Sequence, residues 1–112
     1  MKAIVIRPGE QPEVKELNGP IGVKAELNGG WLEGLTFGPD AFAYIDEEGK
    51  PKGLPRNDLA TQICAEHDVG LAEDDVIMGT LIIVGTLNEH GVHDAEDHDA
   101  PDLLIEAITG KI

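Results

Sequence analysis

The sequence predicts an α+β fold with a small, mostly antiparallel sheet and elements in the order β-β-α-β-β-α-β-α. Three observations carry this expectation. Short β-branched or alternating runs are cut by Pro-Gly, Asn-Gly and Gly-Pro pairs at intervals too short for repeated parallel crossovers. Three segments carry helix start and stop signals. The run at 79–86 is apolar on both faces, as a central strand requires. With 112 residues, 41% of them hydrophobic, the chain is expected to form one domain, 1–112, around one core.

Residues 2–7 are β-branched and read as a central strand, ended by Pro8-Gly9. Residues 12–17 alternate weakly and read as an edge strand, because Pro12 can only begin it. Residues 20–28 fit a short helix, with Pro20 in its first turn and Gly29-Gly30 as its stop. Residues 31–37 and 41–46 read as strands joined through Gly38-Pro39-Asp40, with Phe42 and Tyr44 on one face. Trp31, Phe37, Phe42 and Tyr44 are all the aromatics of the chain, so this hairpin is expected to supply the aromatic part of the core. The bend at 47–50 is expected to place Gly49 at positive φ. Residues 51–56 exclude regular structure.

Asn57 is a good N-cap for a helix ending near Glu66, with Leu59, Ala60, Ile63 and Cys64 on its core face. Residues 88–100 read as a polar, acidic, histidine-rich loop. Residues 101–109 read as a last helix, started by Pro101 and stopped by Gly110, with Leu104, Ile105 and Ile108 on one side.

Charge is the most informative physical feature. The formal net charge is −14. It is not spread evenly: residues 1–57 hold seven bases and nine acids, whereas residues 58–112 hold thirteen acids and Lys111 as the one base. Such a chain repels nucleic-acid phosphates and anionic membranes, so neither is expected as a partner. Basic protein surfaces and cations are the partners its field favours. Cys64 is the lone cysteine, which excludes an intrachain disulfide and fits a reducing cytoplasm. The N-terminus lacks the apolar stretch of a signal peptide, and no run reaches the roughly 20 apolar residues of a membrane span. A cytoplasmic location is expected. The two sheet edges would gain protection from a homodimer.

Four constellations bear on chemistry. His90, His93 and His98, with Asp94 among them, are competent ligands for a divalent metal, but their spacing matches neither a zinc pattern nor an EF-hand. The alternative reading is a solvated loop whose histidines sit among acids. The glycines form neither a dinucleotide nor a phosphate-loop motif and read as caps and strand ends, so no cofactor is expected. The chain has no serine, which excludes a Ser-His-Asp triad, and Cys64 with His67 reads as helix packing rather than a nucleophile and base. The carboxylate runs Asp46-Glu47-Glu48 and Glu73-Asp74-Asp75 read as solvated turns rather than as acid–base pairs.

Several stretches in order carry a family resemblance: residues 2–17, Leu27 to Glu33, Asp46 to Lys50 with Gly53-Leu54-Pro55-Arg56-Asn57, and Ile77 to Gly85. Together they resemble a family of uncharacterised domains of actinobacteriophages, other phages, plasmids and their hosts, the domain of unknown function numbered three-eight-four-six. The resemblance covers roughly residues 2–86. It implies a small accessory protein of a mobile element and transfers no catalytic residue. Within it, Lys50 and Asn57 are candidates to line an anion-binding pocket at a helix N-terminus.

The sequence therefore favours a non-enzymatic accessory protein of a phage or mobile element that binds a host protein with a basic surface, in a counter-defence or host-takeover role through a nucleic-acid-like acidic surface. Asp94, Glu96, Asp97 and Asp99 are the expected binding residues. The alternatives are a small-molecule or metal-binding module, and acidity that serves solubility alone.

Overall fold

The architecture follows from which strands are apolar on both faces. The computed structural model describes residues 1–67, 69 and 75–110. It contains β1 (Lys2–Ile6), β2 (Glu13–Glu16), α1 (Gly19–Glu26), β3 (Leu32–Thr36), β4 (Ala41–Asp46), α2 (Asp58–Glu66), β5 (Leu81–Leu87), β6 (His93–His98) and α3 (Asp102–Thr109). The eight expected elements occur in the expected order. The strands form one sheet in the order β2-β1-β5-β4-β3, with β6 pairing to β5, and every pairing is antiparallel.

The two central strands divide their side chains between two cores. Ile4, Ile6, Leu81 and Ile83 face one side, where they pack with Ala60, Ile63 and Cys64 of α2. Leu104, Ile105 and Ile108 of α3 close that core, as their shared face predicts. Ala3, Val5, Ile82 and Val84 face the other side, under Val23 of α1 and Leu27 at its C-terminus, with Phe42 and Tyr44 partly buried beside them. Each fully buried aliphatic side chain contributes roughly 1.5–3 kcal/mol. The result is a sheet between helices, with the strand pleat deciding which helix each residue meets.

Asn57 joins these layers. Its Oδ1 accepts from the Ala60 amide at 3.1 Å and caps α2. Its Nδ2 donates to the carbonyls of Ile6 at 2.9 Å and Gly79 at 2.8 Å, at the exit of β1 and the approach to β5. The side chain is buried with every polar atom paired.

Three expectations are corrected. Residues 88–100 are not simply a loop, because β6 occupies 93–98. It pairs Gly85 with His98 and Leu87 with His93, through an irregular register that leaves extra residues on β6. It takes the end of β5 beyond the stretch that pairs with β1, which spans Leu81–Ile83. Trp31 does not join the core; it is 68% exposed, with the Lys24 ammonium 5.9 Å from its ring centroid. Phe37 is the aromatic that is fully buried. Gly49 is not at positive φ. Glycine is required there because a Cβ would lie 2.7 Å from the Met78 carbonyl oxygen.

The seating of β6 depends on Gly85. A Cβ there would lie 1.9 Å from the Asp99 carbonyl oxygen, so a side chain must push the 98–100 backbone off β5. Gly85→Ala is expected to destabilise the protein by about 1–3 kcal/mol. It should also speed amide hydrogen exchange at Ala100, whose N–H donates to the Lys2 carbonyl at 2.8 Å. Unchanged exchange at that amide would contradict this account of β6.

Candidate functional site

The acidic segment is a hairpin rather than a free loop. Asn88 shapes its turn: Oδ1 accepts from the His90 and Val92 amides at 2.9 and 3.1 Å. His90 lies in the turn, and His93 and His98 stand at opposite ends of β6. His98 Nε2 is 2.6 Å from Asp94 Oδ1, and His90 Nε2 is 3.5 Å from Glu89 Oε1. The hydrogen bond from His98, then that from the Glu96 amide, holds the Asp94 carboxyl below the usual carboxylate range. His90, Asp94 and His98 border one concavity of about 390 Å³ with Glu89 and Glu96, whereas His93 is not part of its lining. Among the described residues no three His, Cys, Asp or Glu side chains are gathered as a metal-holding group. The predicted His90, His93, His98 and Asp94 set is therefore not assembled as one ligand shell.

The four predicted binding acids divide by what they hold. Asp97 accepts from the Tyr44 hydroxyl at 2.9 Å, and Asp99 Oδ1 accepts from the Lys2 amide at 2.7 Å. Both fasten β6 to the sheet. Asp94 is engaged by His98. Glu96 is exposed beside them on β6.

The remaining candidates have partners within the fold. Lys50 is ion-paired with Asp75. Asn57 has no polar atom left for a ligand, because all three of its bonds run to the backbone. At this helix N-terminus the cap and the two carbonyls take the whole Asn57 side chain. Cys64 is buried, and burial pushes its thiol up to about 11, so it is protonated at neutral pH. The His67 ring packs against Phe37 with centroids 5.0 Å apart. Glu73 and Asp74 lie outside the described residues.

One constellation escaped the sequence reading. A cavity of about 260 Å³ lies where the exit of β1, the end of α1, the 53–55 kink and the approach to β5 meet. Pro8, Leu54 and Pro55 are among its apolar walls, and Arg7, Glu10, Glu26 and Asp46 line its polar side. Asp46 is not in a solvated turn, as the carboxylate run suggests: it is 6% exposed, yet ionised. Burial alone would raise its pKa, but the Lys52 ammonium at 2.8 Å and the Glu48 amide at 2.9 Å outweigh this and hold it low. Arg7 donates to Glu13 at 3.0 Å and to Glu26 at 2.9 Å, and Lys15 also pairs with Glu26. The Glu13 hydrogen bond, ahead of the others, raises the Arg7 pKa, and the Lys15 bond leads in lowering that of Glu26. Arg7 and Asp46 sit 39 positions apart, at the ends of two strands, so no local spacing signals them.

The chain belongs to the family described as Domain of unknown function (DUF3846), whose model matches residues 1–106. The match extends beyond residues 2–86, so β6 and its acids lie within the family domain. The description names no reaction. Neither a curated protein nor a solved structure matches the chain. Among the described residues, no helix is long and apolar enough to cross a membrane.

Tyr44 reports on the Asp97 contact directly, being the one tyrosine of the chain. Burial first, then the hydrogen bond and charge of Asp97, push its pKa up to about 12. A folded-state pKa raised above the ordinary 10.0 gives stability that is whole below pH 10 and lost as the pH rises from there toward 12. Ultraviolet titration should place phenolate formation near that upper value. Asp97→Asn should lower it without reaching the ordinary value, because burial remains. Ionisation at the ordinary value in the wild type would contradict the contact.

Proposed function

We propose that this domain is a non-enzymatic accessory protein of a phage or mobile element that binds a basic host protein through its β5–β6 hairpin. The observation that carries the reading is the composition of 89–102 together with its placement. Glu89, Asp94, Glu96, Asp97, Asp99 and Asp102 fall there without one Lys or Arg, and residues 89–96 are exposed throughout. An exposed array of one sign raises encounter rates with an oppositely charged surface and discriminates against acidic partners. Hydrogen bonds from Tyr44 and the Lys2 amide order part of this array in advance, which reduces the entropy lost on binding. The carboxylates then compete for host sites that ordinarily hold nucleic-acid phosphates. The same reading supports a counter-defence or host-takeover role in the host cytoplasm.

The test is affinity capture from host lysate at low and high salt, with duplex DNA as competitor. A DNA-handling protein should be retained at low salt and released by salt and by DNA. Glu89→Gln with Glu96→Gln should weaken retention about tenfold, a loss of about 1.4 kcal/mol, and leave the fold intact. Asp97 and Asp99 are kept, since they anchor β6. Retention indifferent to DNA and to the double variant would overturn the proposal.

A further inference from the structure

The cavity beside Asp46 has the composition of a small-ligand site of its own. Its volume of about 260 Å³ lies just under the range of roughly 300–1,000 Å³ for drug-sized ligands, which selects a small molecule. Apolar walls around a few converging polar groups are the usual make-up of such a site. Here the walls include the rings of Pro8 and Pro55, held by short backbone-constrained segments rather than by long flexible side chains.

The charge of the lining sets the ligand's sign. Arg7 is its one cation, against the carboxylates of Glu10, Glu26 and Asp46. Arg7 is already committed to Glu13 and Glu26, and Lys15 also holds Glu26, so Glu10 and Asp46 are the lining carboxylates that set the sign. Asp46 is the most deeply placed acid; its side chain is 4% exposed, and a carboxylate so buried requires a positive partner. Lys52 supplies that partner, yet its own side chain is 39% exposed and it does not line the cavity. It is a flexible ammonium reaching to a buried acid from a turn. A ligand cation that fits the cavity can take the same Asp46 oxygen and return Lys52 to water, exchanging one charge-assisted hydrogen bond for another while covering the apolar walls. The net charge of −14 further concentrates cations at the surface.

We infer that the cavity between Pro8, Pro55 and Asp46 binds a small organic cation, an amidinium, guanidinium or ammonium head on a short apolar body, with Asp46 as the anchoring carboxylate and Lys52 as the resident counter-ion it displaces. This site is independent of the hairpin surface and stands or falls apart from it.

Benzamidine is the probe, with benzamide and benzoate as neutral and anionic counterparts of the same shape, followed by amide chemical shifts of the intact protein. Benzamidine should bind with a dissociation constant below about 1 mM, consistent with what so few atoms can supply. Shifts should concentrate at Arg7, Asp46, Gly79 and Thr80, while benzamide and benzoate leave those amides unmoved. Asp46→Asn should weaken benzamidine at least tenfold. Lys52→Ala, which removes the competing ammonium, should tighten it, an effect that mere structural damage would not give. Equal binding of benzamide or benzoate, shifts elsewhere on the surface, no shift at several millimolar benzamidine, or weaker binding by Lys52→Ala would each overturn the inference. The wild-type comparison of the three probes decides the matter even where a variant folds poorly.

Discussion

The Asn57 carboxamide is the interaction on which most of the arrangement rests. One side chain caps α2 and fastens the carbonyls at the exit of β1 and the approach to β5. Those two backbone segments continue into Arg7 and Pro8 on one side and Thr80 on the other, which line the cavity beside Asp46. The asymmetry of hydrogen-bond energetics gives this junction its weight. A made bond contributes about 1 kcal/mol, whereas each buried group left unpaired costs roughly 1–3 kcal/mol. Two central strands and a helix are thus held in one geometry by a group that has no exposed alternative.

The protein manages its acidity in two ways, by ion pairs with bases around its first half and by other donors in the hairpin. Lysines and arginines are concentrated in the first half, and several are ion-paired: Arg7 with Glu13 and Glu26, Lys52 with Asp46, and Lys50 with Asp75 of the second half. The β5–β6 hairpin has no such bases. A phenol hydroxyl, a backbone amide and an imidazole serve Asp97, Asp99 and Asp94 instead. The hairpin is thus ordered without a Lys or Arg beside its acids.

The parts of the fold legible in the sequence are those set by local rules. Residues 81–84 are buried on both faces, as an uninterrupted apolar run requires, and Asn57 caps the helix that its position announces. The Leu104, Ile105 and Ile108 face packs where its period places it. β6 was not legible because His93 to His98 lacks both β-branched residues and a clean alternation; it is a strand by virtue of β5 beside it and Gly85 beneath Asp99. Trp31 was misplaced because composition cannot tell a core aromatic from one at the mouth of an edge strand. The acids of the hairpin were legible as a charged segment, but their separate duties were not, since Tyr44 and Asp97 are far apart in sequence. The cavity was hidden for the same reason: its residues come from segments that only the closed sheet brings together.

The two donors of Asn57, and not its helix cap alone, hold the junction. Asn57→Asp separates them, because a carboxylate keeps the cap acceptor for Ala60 but presents negative oxygen to the Ile6 and Gly79 carbonyls. Urea denaturation of this variant, read from the midpoint at unchanged slope, is the direct measurement. A loss of at least about 2 kcal/mol is predicted from two orphaned carbonyls and an unpaired buried charge. Stability within about 0.5 kcal/mol of the wild type, the range of an ordinary surface substitution, would contradict the account.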